Sequence, residues 1–414
     1  MKRNAVTKLI EWKESGTTVP FLLLGTKGTG KTYLAMEFAS AYYPQYLYVN
    51  FELNAGAKLF FEQKIEEGAS VTEALAEYFQ MDERYLSELI VIFDEISFCP
   101  VLWKSLAENV TVPLIVISGI LPECGKSAMC QDITGSFFVC RLYPLGFDEF
   151  LSAVGSDWYI DIIQGHFQNL KPVPDIVHQE LLALFEEYLI VGGMPAAVNE
   201  YISSKSIYNV AEVHHTVKCR MQSVLECTYD EKEAGKGIQV LRVLPAQLKK
   251  ENKKFRFNLI RKGVTYALYK ESIEALVRNG MVLRLNEQKK ESHFKLYLPD
   301  VGMLSSEFYG MESEETKKAV LENYVMQTLV ANEKTSLCFW ESDAQAKVDF
   351  IIGEEDEETA VELRISTNGK AKSIASYQAV NEKIGEEYFR FGFENFYSTS
   401  VIRQIPYYAV FCIK

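Results

Sequence analysis

Hydrophobic positions along the chain follow one rhythm up to Leu142 and another after Pro144. In the first stretch, Phe21–Leu24, Tyr46–Phe51, Leu89–Phe93, Leu114–Ile117 and Phe137–Leu142 are short, unbroken apolar runs rich in β-formers. Strands covered on both faces read this way. Helix-period segments fall between them, at Thr32–Tyr42, Ala57–Glu67 and Val71–Phe79, which predicts an α/β unit with a parallel sheet over residues 1–145. Beyond Pro144 the period is helical through Phe147–Val154 and His178–Val191. Gly192-Gly193-Met194-Pro195 interrupts it before Ala196–Ile202 resumes. A helical lid with its linker is expected over 146–236, with Asp230–Gly237 as the polar part of the connection.

Three helices are predicted next, at Val240–Lys250, Phe257–Arg261 and Tyr266–Arg278, the last ended by Gly280 where a C-terminal cap favours glycine. A hairpin of Met281–Leu285 and His293–Leu298 follows, giving a winged-helix outline over 237–305. The remainder, 306–414, opens on a helix at Glu314–Asn332. It continues in strands at Ser336–Trp340, Val348–Ile352, Ala360–Ile365 and Tyr407–Ile413, with a helix at Ser373–Lys383, as a second α/β domain.

Composition narrows the class. The 414 residues exceed one core, and 48% hydrophobic with 24% charged residues is globular. No apolar run approaches the roughly 20 residues of a membrane span. Met1-Lys2-Arg3-Asn4 runs into a charged amphipathic segment, so no signal peptide and a cytoplasmic location are expected. Eight scattered cysteines without a CxxC pair fit reduced thiols. His215 and Cys219 lie one helical turn apart but are two ligands only, too few for zinc. The net charge of −13 is uneven. Lys249, Lys250, Lys253, Lys254, Arg256, Arg261 and Lys262 cluster against one acid, whereas 310–362 holds fourteen acids and four bases.

The strongest chemical signal is Gly25-Thr26-Lys27-Gly28-Thr29-Gly30-Lys31-Thr32, which meets GxxxxGK[ST] between a strand and a helix. Its glycines let backbone N–H groups turn inward onto phosphate oxygens at a helix N-terminus. Lys31 would reach the terminal phosphates of ATP and Thr32 would ligate Mg²⁺. The apolar run Leu89–Phe93 ends in Asp94 and Glu95. Asp94 suits Mg²⁺ coordination and Glu95 the orientation of an attacking water, so the expected chemistry is hydrolysis rather than transfer. Ser118 closes Leu114–Ile117 and either touches the γ-phosphate or caps its strand. Arg141 either stabilises transition-state charge, in its own chain or a neighbour's, or forms a structural ion pair.

These residues resemble the bacterial and archaeal AAA-type ATPases that carry a C-terminal domain of unknown function. The likeness runs through the phosphate loop, FDEIS with Trp103, the ISG strand tip, CRLYPLGFDEFL and YLIVGGMPAAV. It continues through LPAQLKKENKKF, FKLYLPDVGML, LENYVMQTL, CFWESDAQAKVDFII and IPYYAVFCI. Lys27-Gly28 stand where the family usually has Arg-Gln, Cys140 where it has glycine, and Gly146 where it has serine. The resemblance implies a P-loop NTPase sheet with a helical lid, a winged helix and a C-terminal α/β domain similar to PD-(D/E)xK restriction endonucleases.

In that fold carboxylates on a hairpin hold Mg²⁺ while a lysine activates water. The matching positions are Asp349 and Glu362, with Glu322 as a third acid and Arg364 at the lysine position. Arginine cannot give up its proton, which sets this chain apart from the pattern. The acidic run Glu354–Glu358 reads as a solvated turn. Two functions remain. One is an ATPase that drives a winged helix and a metal-dependent nuclease-like domain on DNA or another nucleic acid. The other is a nucleotide-gated switch whose C-terminal domains bind a protein partner. ATP, Mg²⁺ and hydrolysis are common to both, an oligomer fits either, and no membrane is implied.

Overall fold

The computed structural model describes residues 1–107, 110–121, 135–288, 290–308, 313–334, 336–342, 346–353, 358–365, 372–381 and 387–414. The chain divides into two compact units, Arg3–Tyr143 and a second that comprises Pro144–Lys414 with Met1–Lys2. Most of the expected acidic run, 354–357, and the end of the helix expected to reach Lys383 lie outside the described residues.

The first unit is built on five parallel strands: β1 (Phe21–Leu24), β2 (Tyr46–Asn50), β3 (Ile90–Asp94), β4 (Leu114–Ser118) and β5 (Phe138–Arg141), in the order β2-β3-β4-β1-β5. Residues of β1 alternate between two cores. Leu22 and Leu24 pack with Phe51, Phe61 and Trp103 on one face. Phe21 and Leu23 join Leu9, Trp12 and Phe38 on the other. Burial on both faces is why these strands are apolar throughout. β4 lies between β1 and β3, so its tip stands between the phosphate loop and the acidic pair.

The second unit carries an eight-stranded mixed sheet. Its strands are β6 (Leu283–Glu287), β7 (Lys290–Tyr297), β8 (Leu337–Glu341), β9 (Lys347–Ile352), β10 (Thr359–Leu363), β11 (Tyr388–Gly392), β12 (Tyr397–Ser398) and β13 (Ile402–Pro406). Their order is β12-β13-β11-β10-β9-β8-β6-β7. β6 and β7 form the hairpin expected of the wing, but β6 also pairs in parallel with β8 through Asn286–Cys338 and Glu287–Phe339. The boundary expected at 305/306 is therefore no break in the sheet. Of the three helices expected before the hairpin, the middle one is a three-residue 3-10 turn, Phe257–Leu259.

Other expectations are corrected in the same unit. Asp230–Gly237 is no linker: Asp230 caps the helix Glu231–Leu248 by accepting from the N–H groups of Lys232 and Glu233. Gly237 lies against Leu225 of the 22-residue helix Ile207–Thr228; this helix and Trp158–Asn169 are additional to the elements expected above. Tyr407–Ile413 is not a strand. Tyr407–Cys412 forms a 3-10 helix whose residues Tyr407–Phe411 are all buried, after β13 stops at Pro406, which has no N–H to extend the ladder.

The expected lid does not form a separate body. Phe185 and Tyr188 on its helix Asp175–Val191 pack on Tyr324 at centroid distances of 4.8 and 6.0 Å. His178 also bonds to the Tyr408 hydroxyl. At the break after Val191, Gly193 N–H donates to Asp300, and a Cβ on Gly192 would lie 2.3 Å from that carboxylate. Among the described residues no single helix is long and apolar enough to cross a membrane.

Candidate functional site

The loop after β1 turns on three glycines with left-handed or glycine-only φ: Gly25 at 154°, Gly28 at 94° and Gly30 at 91°. Gly25 is doubly constrained, since a Cβ there would sit 2.3 Å from the Leu142 carbonyl. Gly30 leads directly into the helix Lys31–Tyr42, whose first N–H groups are free of helical partners by geometry. Thr26 and Thr29 are buried within the loop, and the Thr29 hydroxyl donates to Thr26 O at 3.0 Å. Lys27 leans outward to Glu52, with Nζ–Oε distances of 2.5 and 2.6 Å.

Lys31 is 5% exposed, and its Nζ donates to the carbonyls of Gly25 (2.8 Å) and Thr26 (3.1 Å). Burial pushes its pKa down, against the pull of Glu95 and Asp94. An ammonium folded back on its own loop, with neutral acceptors, is suited to exchange them for phosphate oxygens.

Thr32 and Asp94, brought together from neighbouring elements, form the next part. The Thr32 hydroxyl donates to Asp94 Oδ2 at 2.7 Å. The same oxygen accepts from Tyr48 OH at 2.8 Å, and Asn50 donates to that phenol at 3.1 Å. Burial pushes the Tyr48 phenol up to about 12, which keeps it a donor. A hydroxyl beside a carboxylate is a hard-oxygen set and fits Mg²⁺. Tyr48 and Asn50 were not foreseen from sequence. The signal was present in β2, where Tyr46, Tyr48 and Asn50 alternate with the buried Leu47 and Val49.

Glu95 follows with φ 52°, a left-handed backbone unusual for this residue. Its N–H returns to Asp94 Oδ1 at 2.9 Å, and its Oε2 accepts from Gly119 N–H at 3.3 Å. Burial raises its pKa. Ser118 is fully buried, and its hydroxyl donates to the Ile120 carbonyl, the strand-capping alternative. Arg141 ends β5 opposite Leu24, beside the start of the phosphate loop.

The second expected site is differently disposed. Glu322 is 1% exposed and already surrounded: it pairs with Lys253, and with Lys295 Nζ at 2.9 Å, and it accepts from Tyr297 OH at 2.6 Å. Burial alone would raise its pKa, but the two ammonium groups hold it far below the usual carboxylate range. Asp349 accepts from Leu363 N–H at 3.2 Å, and burial pushes its pKa up, with Glu322 adding to it. Glu362 takes Arg390 Nε at 2.7 Å, with Arg364 Nε 3.7 Å away.

The expected three-carboxylate centre is thus not assembled. Among the described residues no three His, Cys, Asp or Glu side chains gather as metal ligands. His215 and Cys219 remain a pair, 3.6 Å apart. The basic stretch is partly spent inside the protein as well. Lys253 is buried and Lys254 bridges Glu287 and Glu341 at 2.8 Å each, while the exposed Lys249 lies 5.4 Å over Phe308. Lys250, Arg256, Arg261 and Lys262 are exposed.

Residues 18–151 match the family model of an AAA domain. Residues 182–315 and 317–406 match two domains of unknown function, DUF8612 and DUF4143. No curated protein matches the chain. Among solved structures it is similar to a Walker-type ATPase of Pyrococcus abyssi, with 14% identity, 74% of this chain and 95% of that one covered, and a TM-score of 0.45. The Orc1 protein of Aeropyrum pernix in complex with DNA matches with 14% identity over 78% and 93% of the two chains, at a TM-score of 0.31. AMPPCP-bound DnaA from Aquifex aeolicus matches with 12% identity over 67% and 88%, also at 0.31.

Proposed function

We propose that the unit Arg3–Tyr143 binds ATP with Mg²⁺ and hydrolyses it, and that the second unit responds to the nucleotide. The observation that carries this reading is the junction of Lys31, Thr32, Asp94 and Glu95 at the ends of β1 and β3. The N–H groups from Gly25 to Thr32 receive the phosphates, and Lys31 leaves its loop carbonyls for phosphate oxygens. Thr32 and Asp94 hold the Mg²⁺, with Tyr48 fixing the Asp94 oxygen. Bound Mg²⁺ supplies neutralisation of charge on the phosphate oxygens. Glu95 orients the attacking water and accepts its proton once released from Gly119 N–H. Ser118 shapes the Gly119 turn, and Arg141 supplies positive charge near the phosphates, within this chain or towards a neighbouring copy.

The test is MgATP turnover by the wild-type chain beside Lys31→Ala, with nucleotide binding followed by calorimetry. Loss of binding and turnover in the variant supports the assignment. Unchanged hydrolysis shows that the site lies elsewhere.

Of the two uses for this chemistry, the nucleotide-gated switch with a partner-binding, catalytically silent second unit is favoured over nucleic-acid cleavage. What favours it is Glu322, whose oxygens are taken by Lys253, Lys295 and Tyr297. Incubation with Mg²⁺ or Mn²⁺ and DNA or RNA, with and without ATP, separates the two. Cleavage that is lost in Asp349→Ala would reverse this preference.

A further inference from the structure

Arg3 is 8% exposed although it stands third in the chain. Its Nη1 donates to the carbonyl of Thr29, inside the phosphate loop, at 2.8 Å. Its Nη2 donates to the carbonyl of Tyr143, two residues beyond β5, at 2.6 Å. One planar fork therefore joins the loop at the end of β1 to the exit of the neighbouring strand. A guanidinium can do this because its donors are fixed relative to one another, whereas an ammonium is a single point.

The fork itself is anchored. The helix Val6–Glu14 begins with Val6 N–H bonded to Arg3 O at 3.1 Å. That helix is pinned to the sheet by buried Leu9 and Trp12, and Trp12 Nε1 donates to Val19 O at 2.7 Å. The two joined segments also meet directly. Leu142 N–H donates to Leu24 O at 2.7 Å, and the missing Cβ of Gly25 makes room for the Leu142 carbonyl.

Tyr143 is the last residue of the first unit. Pro144 follows, and then Leu145, which is gripped within the second unit. Leu145 N–H donates to Gly193 O at 2.7 Å, and Leu145 O accepts from Tyr188 OH at 2.7 Å. Tyr143 is thus bonded within the first unit by Arg3, and Leu145 within the second by Gly193 and Tyr188.

We infer that Arg3 is a positioning residue that presets the phosphate loop and passes nucleotide-dependent movement of that loop to the chain crossing at Tyr143–Leu145. This rests on the ATP reading above. The experiment uses the full-length chain as wild type, Arg3→Ala and Arg3→Lys. Steady-state ATP hydrolysis is measured together with amide hydrogen exchange over 143–147, with and without a non-hydrolysable ATP analogue at saturation. Loss of a charged hydrogen bond to the loop is expected to raise KM about tenfold in Arg3→Ala, with kcat changed much less. Arg3→Lys, which keeps the charge but has no planar fork to span both carbonyls, is expected to fall between.

In the wild type the analogue slows exchange over 143–147, and in both variants that difference shrinks although the nucleotide is bound. Wild-type KM and wild-type exchange differences in the variants overturn the inference while leaving the ATP site standing. A lower thermal midpoint with KM unchanged also overturns it, as the mark of a purely structural contact. A wild-type chain that binds no MgATP overturns the ATP reading and this inference together.

Discussion

Lys253 and Glu322, 69 residues apart in sequence, form an ion pair that is buried on both sides, with side-chain exposures of 4% and 1%. Lys295 and Tyr297 of β7 complete the surroundings of the carboxylate. Removing the acid strands two ammonium groups in a low-dielectric interior. Glu322→Gln is therefore expected to cost about 3–5 kcal/mol in denaturant unfolding. Adding Lys253→Met to it should recover part of the loss, because the stranded charge goes too.

The same carboxylate sets a pH dependence. Its folded pKa is depressed below the unfolded value, so its contribution is complete above the unfolded glutamate pKa of about 4.3 and is lost as pH falls through the folded value. Wild-type stability should decline on acidification by a component that Glu322→Gln lacks. The stability gap between them, from denaturant melts at pH 6 and at pH 3, should narrow at the lower pH.

In the proposed mechanism Glu95 takes the proton of the attacking water, and its carboxylate accepts from Gly119 N–H. Glu95→Gln keeps the shape and loses the basicity. Turnover should fall by about 10²–10⁴-fold, the usual worth of a positioned general base, while ATP affinity stays within a few-fold. Filter binding of labelled ATP beside a phosphate-release assay reads both quantities.

Tyr48→Phe removes one donor from Asp94 and leaves the ring in place. In the proposed Mg²⁺ site this takes away a partner of the Asp94 carboxylate, and about 10–100-fold more Mg²⁺ should be needed for half-maximal turnover. A Mg²⁺ titration at fixed ATP measures this, and restored activity at high Mg²⁺ separates it from misfolding.

How much of this was legible in the sequence depends on how local the determinant is. β1, the glycine turn and β3 could be read directly, because burial on both faces imposes continuous apolar runs and the turn demands glycine at fixed places. The 3-10 helix Tyr407–Cys412 reads as a strand in sequence because its unbroken buried run, Tyr407–Phe411, has no period to betray its type. Asp230 looked like a linker residue, although Asp before a charged run is also a helix cap. The partners of Glu322 were out of reach: Lys253 and Lys295 are ordinary surface residues by composition, and only the tertiary fold turns them inward. Arg3 was hidden in the same way, since nothing near it in sequence announces Thr29 or Tyr143 as its acceptors.

The seam between β6 and β8 makes the last hundred residues poor cargo for transplantation. Excised before the helix Glu314–Ala331, they would present the β8 edge bare and leave Glu322 without either lysine. Such an edge recruits other strands, and aggregation is the ordinary result. A gene fusion or truncation that keeps this sheet and the Glu322 pairs whole must keep residues from Lys253 onward in one piece, because the β6–β8 pairing crosses the border between the two matched domains.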